Sequence, residues 1–221
     1  GGTTLGLPTL GTLLAMGSAA PTLLAWASIY GDLFADVLRL AIKGHLIVGF
    51  LRLYGFHVFR NTYKPLLAES IVEFWNRYFY YFKELLVTFF FFPTFTGIGK
   101  RLRRWPNARL LVAVLAAAFV GNVYYHLIKV SAAMAQGQVF ETLTEQAPRM
   151  FYCLLLAGGV FVSMLREQER RGAASTARRA PRVFRIFGVW TFFGLISIWN
   201  TAGGVAFSTR IDFFLGLWGL A

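Results

Sequence analysis

The chain of 221 residues is apolar and basic, with 57% hydrophobic residues, 14% charged residues and a formal net charge of +12. Soluble domains carry about a quarter of charged residues, so this composition, with a mean hydropathy of +0.56, excludes an ordinary soluble domain and predicts an integral membrane protein. The single cysteine, Cys153, excludes a disulfide framework or a set of cysteine metal ligands within the chain, and we predict a buried packing role for it.

The chain begins with "GGTTLGLPTLGTLLAMGSAAPTLLAWASIY", which has neither an initiator methionine nor the basic first region of a signal peptide. We therefore expect residues 1–221 to form a single membrane domain that is the C-terminal part of a longer multi-pass protein.

Four segments are long and apolar enough to cross about 30 Å of hydrocarbon as helices. They are residues 10–30, 110–134, 148–165 and 183–200. A fifth segment, residues 33–53, is apolar but contains Asp36, Arg39, Lys43 and His45. Either these groups face other helices or a wet cavity, or Asp36 and Arg39 lie near the interface and extend to water.

Basic clusters alternate along the chain with turns that are poor in Lys and Arg. The clusters are residues 52–64, 100–109 and 166–185, and the turns surround Asp32, residues 137–146 and residues 200–207. The positive-inside rule places the clusters in the cytoplasm, where they would contact anionic lipid heads. No basic soluble domain or stacking platform is visible, so we expect no nucleic-acid partner.

The aromatic segment "SIVEFWNRYFYYFKELLVTFFFFPTF", residues 70–95, lies between two of these basic clusters. Because both flanks are predicted to be cytoplasmic, the segment has to enter and leave the membrane by the same face. It is either an interfacial helix or a re-entrant arm in which Pro93 closes the aromatic run. The predicted fold is therefore an all-α, multi-pass transmembrane bundle with a re-entrant or interfacial helical arm.

The same segment resembles the membrane-bound O-acyltransferase superfamily, in particular the bacterial members that acylate secreted or cell-wall polymers. Those members carry a motif of the type S-F-x-E-F-W-x-R-W-H, followed by an arm that ends at a proline. The matching residues here are Ser70, Glu73, Phe74, Trp75, Arg77 and Pro93, with Tyr78 in place of the second Trp. The upstream "GFHVFRNTYKP" is similar to the family's G-F-x-x-x-x-N-F-x-x-P run.

The chain departs from the family pattern at Phe79, where the motif has His or Asn. Phe can neither exchange a proton nor form the hydrogen bonds of Asn. Asn76 lies three residues earlier and is a weaker candidate for the missing polar role.

Further along the chain, the family has a basic loop and a hydrophobic helix that contains a histidine. The corresponding stretch, "KRLRRWPNARLLVAVLAAAFVGNVYYHLIKV", contains His126. The resemblance implies acyl transfer from a thioester, such as acyl-CoA or an acyl carrier protein, to a hydroxyl. His126 would be the general base, since imidazole titrates near neutral pH. Asn122, one turn earlier, could fix its tautomer.

A structural explanation stays open for each of these residues. His126 could bond a backbone carbonyl or a Tyr hydroxyl of another helix, and the aromatic residues of 70–95 could form an interfacial belt. Glu73 and Arg77 are four residues apart, so they are predicted to pair on one helical face and to line a cytoplasmic entrance for the donor. His45 and His57 have no comparable support from the motifs.

Two functions follow from the resemblance. The first is an O-acyltransferase of the bacterial inner membrane that modifies a polysaccharide, lipid or peptide and binds no resident cofactor or metal. The second is an inactive scaffold or conduit of the same fold, with membrane or periplasmic assembly partners. A transporter would be expected to show repeated halves, and the sequence has no visible internal repeat.

Overall fold

The computed structural model describes residues 3–4, 6–17, 21–172, 180–201 and 204–220. This part of the chain is all-α apart from one short antiparallel pair, β1 (Thr3–Thr4) with β2 (Leu7–Pro8). Its helices are α1 (Leu10–Met16), α2 (Thr22–Leu53), α3 (Ile71–Tyr78), α4 (Tyr80–Leu86), α5 (Phe92–Gly97), α6 (Pro106–Val114), α7 (Asn122–Lys129), α8 (Ser131–Ala135), α9 (Val139–Gly172), α10 (Arg182–Asn200) and α11 (Phe207–Gly216).

Three helical stretches of the described chain are long and apolar enough to cross a membrane. They are Pro106–Lys129, Val139–Arg170 and Arg182–Asn200. The first is continuous because a π-helical segment, Leu115–Gly121, joins α6 to α7. These stretches include the predicted segments 148–165 and 183–200, because a run of about 20 apolar residues can bury its backbone polar groups in lipid only as a helix. The predicted segment 110–134 is longer than its helix, which ends at Lys129, and residues 131–134 belong to the separate helix α8.

The predicted span over residues 10–30 is wrong. Helix α1 ends at Gly17, whose φ of 66° is left-handed, and α1 then packs against the first turns of α2. The fully buried side chains of Leu13 and Leu14 lie in one cluster with Ala25 and Ile29. Seven residues of helix are too short to span a bilayer, so burial against a neighbouring helix replaces burial in lipid.

The turn predicted around Asp32 is also wrong, because α2 runs without a break through this residue. The Asp32 carboxylate accepts a hydrogen bond of 2.6 Å from the backbone N–H of Leu10 at the start of α1. A helix N-terminus has unsatisfied N–H groups that favour a carboxylate. Asp32 is therefore a tertiary cap of another helix, and residues 33–53 are the second part of α2.

The polar stretch at residues 137–146 forms a turn only at its beginning. Gly137 has a left-handed φ of 88°, and α9 starts at Val139. Pro148, predicted to begin a span, lies inside this helix. The basic stretch predicted as a loop continues α9 as far as Gly172, and its residues 173–179 lie outside the described residues. The turn predicted at 200–207 separates α10 from α11, with Ala202 and Gly203 outside the described residues.

Two apolar clusters hold the helices together. One contains the fully buried Phe74 of α3 with Leu156 of α9 and Phe193 of α10. The rings of Phe74 and Phe193 stack with centroids 3.9 Å apart. The second cluster joins α1 and the start of α2 to the end of α10 and to α11. Helix α3 is therefore anchored in the main core and is not a surface element.

Residues 80–97, which we call the aromatic arm, form one irregular helical segment. Helix α4 leads into a π-helical turn, Val87–Phe91, and then into α5. The π turn precedes Pro93, which has no N–H to donate. The arm runs antiparallel to Pro106–Lys129: Phe82 contacts Tyr125 near one end, and the carbonyl of Phe95 accepts a hydrogen bond from Arg109 at the other.

Candidate functional site

Helix α3, which carries the acyltransferase-like motif, begins with a side-chain cap. The Ser70 hydroxyl accepts the N–H of Glu73 at 3.1 Å, and the Glu73 carboxylate accepts the N–H of Glu69 at 2.6 Å. The N–H of Val72 donates to the hydroxyl of Ser163 on α9 at 3.3 Å. These contacts fix the first turn of α3 against α9, since capping satisfies donors that the helix leaves unpaired.

The predicted ion pair between Glu73 and Arg77 is present. Both side chains are about one-third exposed or less, at 34% and 28%. The Arg77 guanidinium also lies 3.4 Å from the carbonyl oxygen of Lys64, and the Arg77 carbonyl accepts the N–H of Tyr63. Arg77 thus holds α3 to the preceding loop as well as to Glu73.

The other motif residues face different surroundings. Trp75 packs against the main core, and Asn76 lines a cleft beside α9 and α10. Phe79 lies in the break between α3 and α4, where its ring contacts Tyr78 and Phe82. Burial, reinforced by the negative charge of Asp36, raises the pKa of Tyr78, so its hydroxyl stays protonated. The break therefore presents aromatic rings where the family motif has an imidazole or amide.

The cleft that Glu73 and Asn76 line has a volume of about 750 Å³. It lies between the first turn of α3, the last turns of α9 and the first turns of α10. Its charged lining residues are Glu69, Glu73, Glu167, Arg166, Arg170 and Arg185. A volume of this size is typical of small-ligand sites, and its high charge sets it apart from the apolar core.

Glu69 organises one wall of this cleft, and sequence reasoning missed it. Its carboxylate pairs with Arg182 at 2.9 Å and with Arg185 at 2.5 Å. The Arg185 side chain is only 19% exposed. The sequence offers one signal for Glu69, its position directly before Ser70 of the motif. Its ion-pair partners could not be predicted, because they are 113 and 116 residues away in the sequence.

His126 lies elsewhere, on α7, where it faces α9 across a narrow cavity that has no room for a water molecule. The cavity is also lined by Gln146, Arg149 and the fully buried Cys153. Arg149 donates a hydrogen bond of 2.7 Å to the Gln146 side chain. Asn122 is 4% exposed, one turn before His126. None of the hydrogen bonds found among the described residues joins Asn122 to His126.

The structure therefore separates His126 from the charged cleft. The cleft uses Val162 to Arg170 of α9, and the His126 cavity uses Gln146 to Cys153. At 1.5 Å per residue, the nearest of these positions are about 14 Å apart along the helix axis. Glu73 and Asn76 share one cavity, whereas His126 and Asn122 are not part of it.

Aromatic rings connect the two regions. Trp75 of α3 contacts Phe82 of the aromatic arm at 6.3 Å between centroids, and Phe82 contacts Tyr125 at 4.8 Å. Tyr125 in turn contacts His126 at 5.7 Å. The motif helix and the histidine are thus linked through the arm by packing and not by hydrogen bonds.

The remaining histidines stand apart from both regions. His45 is exposed on α2, with Nδ1 2.6 Å from the carbonyl oxygen of Ala41, and His57 is exposed in the loop after α2. Asp36 and Arg39 pair with each other at 2.8 Å on an exposed face of α2. Within the described ranges, no group of three or more His, Cys, Asp or Glu side chains could hold a metal ion.

Comparison with known proteins does not place the chain in a family. A scan against models of protein families finds no match, and a search of curated proteins finds none either.

Proposed function

We propose that this chain belongs to a membrane-bound O-acyltransferase, which moves an acyl group from a thioester donor to a hydroxyl acceptor. The observation that carries the proposal is the arrangement of the motif. The helix that matches the acyltransferase pattern lines a charged cleft, and the arm that follows it packs along the helix of His126.

The proposed topology is a multi-pass bundle in the bacterial inner membrane, with the basic clusters and the cleft on the cytoplasmic side. In this arrangement α3 descends from the cleft, and the aromatic arm returns from the level of Tyr125 to that of Arg109. Residues 70–97 then form a re-entrant hairpin, whose helical conformation and contacts with other helices satisfy its backbone.

His126 is the proposed general base. Its role would be to remove the proton of the acceptor hydroxyl as that oxygen attacks the thioester carbonyl. The carbon–sulfur bond then breaks, and the leaving thiolate takes up the proton that His126 had accepted, so that a free thiol and the acyl ester are formed. The gap between His126 and α9 admits no water molecule, whereas the His126 side chain is only partly buried, and in this proposal the acceptor approaches its accessible part. Glu73 and Arg77 would hold the motif helix at the donor entrance.

A second candidate is a catalytically inactive scaffold of the same fold. Two observations favour it: Phe79 cannot exchange a proton, and His126 does not line the cleft. Both candidates require the same helices, so activity measurements have to separate them.

The test is transfer of labelled acyl groups by the full-length protein in membranes, with each variant normalised to folded protein. His126→Ala should reduce the rate by about 10²- to 10⁴-fold, the usual contribution of a general base. His45→Ala is the matched control, since it removes an exposed imidazole that lines neither the cleft nor the His126 cavity. Full activity of His126→Ala would eliminate the catalytic role, and an inactive parent protein with every thioester tried would favour the scaffold.

A further inference from the structure

The cleft beside α3 is lined by three arginines and three glutamates, and two of these glutamates, Glu69 and Glu73, are paired with arginines outside the lining. The lining arginines are Arg166, Arg170 and Arg185. The outer partners are Arg77, which pairs with Glu73, and Arg182, which pairs with Glu69, so five arginines lie in or beside the cleft. Three glutamates oppose them, Glu69, Glu73 and Glu167. With these outer partners counted, two positive charges are in excess, which is enough to neutralise the single negative charge of a lipid phosphodiester.

The cleft also lies where lipid headgroups are expected. The candidate span in α9 ends at Arg170, and the next candidate span begins at Arg182. Arg166 and Arg170 occupy the last turns of the first span, and Arg185 occupies the first turn of the second. Arginines at this depth interact with the phosphates of anionic lipids.

An apolar wall continues from the charged part of the cleft. Phe184 is 70% exposed and Val162 is 44% exposed, and both line the same cavity. In a membrane these side chains face acyl chains, so a lipid whose phosphate is held by the arginines can place its own acyl chain against them. The combination of a basic end and an exposed apolar wall fits a phospholipid better than a free phosphate.

We propose that this cleft is a binding site for one anionic phospholipid, with the phosphate held by Arg166, Arg170 and Arg185 and an acyl chain lying against Val162 and Phe184. The ion pairs from Glu69 to Arg182 and Arg185 hold this wall in place before the lipid binds. The site requires insertion in a membrane but does not depend on acyl transfer.

The test is native mass spectrometry of the full chain in detergent, titrated separately with phosphatidylglycerol and with phosphatidylcholine. Arg166→Gln/Arg170→Gln should weaken binding of the first phosphatidylglycerol by about tenfold or more, because each arginine near a lipid surface contributes appreciably to anion binding. The matched control is Arg101→Gln/Arg103→Gln, which removes the same charge from exposed residues outside the cleft. The control should change the affinity by no more than about twofold, since its charges act only at a distance.

Glycerol phosphate, the headgroup portion without acyl chains, distinguishes the two sources of phosphate. It should fail to displace phosphatidylglycerol, and Phe184→Ala should weaken binding of the lipid. Equal weakening by both double variants, equal binding of the two lipids by the parent, or displacement by glycerol phosphate would overturn the site. Circular dichroism verifies folding, and Arg170→Gln alone, at an exposed position, provides the same comparison if the double variant fails to fold.

Discussion

Two adjacent glycines of α9 give a sharp test of how α9 packs against α10. A Cβ at Gly159 would lie 2.3 Å from Cζ and 2.8 Å from Cε2 of Phe192, whereas a Cβ at Gly158 would have no such atom within 4 Å. Carbon atoms in contact are about 3.5–4.0 Å apart. Gly159→Ala therefore requires the Phe192 ring to move by more than about 1 Å, while Gly158→Ala requires no movement.

The expected energies follow from this contrast. Replacing Gly by Ala inside a helix is favourable by about 1 kcal/mol, and this contribution is the same at both positions. Overpacking a helix contact costs about 1–3 kcal/mol. Gly158→Ala should thus raise the free energy of unfolding by up to about 1 kcal/mol, and Gly159→Ala should be less stable than Gly158→Ala by about 1–3 kcal/mol.

The assay is unfolding in mixed micelles of a mild detergent and dodecyl sulfate, followed by circular dichroism. A double-mutant cycle with Phe192→Leu identifies the cause, because a smaller side chain leaves room for the new methyl group and should recover part of the loss. Equal stability of Gly158→Ala and Gly159→Ala, or no coupling between Gly159→Ala and Phe192→Leu, would refute the packing described for α9 and α10.

Three further outcomes are expected. Arg210→Leu should lower the free energy of unfolding by about 3 kcal/mol, because this buried guanidinium donates to three backbone carbonyls at the end of α10 and just before α11. Chemical unfolding measures this free energy, and a loss below about 1 kcal/mol would contradict the prediction. Cys153→Ala should leave the rate of acyl transfer within a few-fold of the parent rate, since the thiol is fully buried. For the same reason the Cys153 thiol should not react with maleimide until the chain unfolds, and rapid labelling of the folded protein would contradict its burial. Cysteines placed at Arg60 and Lys100, both exposed, should react with an impermeant reagent from the same side of the membrane, and labelling from opposite sides would exclude the re-entrant hairpin.

Local features of the sequence determined much of the secondary structure. The apolar run of α10 predicted that helix to within a residue at its start and matched its last residue, because lipid burial requires all backbone groups to be bonded within the segment. The pairing of Glu73 with Arg77 was likewise predictable, since side chains four residues apart are neighbours on any helix. The burial of Cys153 followed from the apolar residues around it.

Contacts between distant segments decided the rest. Asp32 looks like a turn residue by itself, yet it lies within a long helix, where its carboxylate caps α1. The cleft depends on Glu69 meeting Arg182 and Arg185, residues more than a hundred positions away. The distance from the cleft to His126 depends on where each packs along α9. Helical periodicity acts over a few residues, whereas the partners that satisfy a buried charge are chosen by the folded chain as a whole.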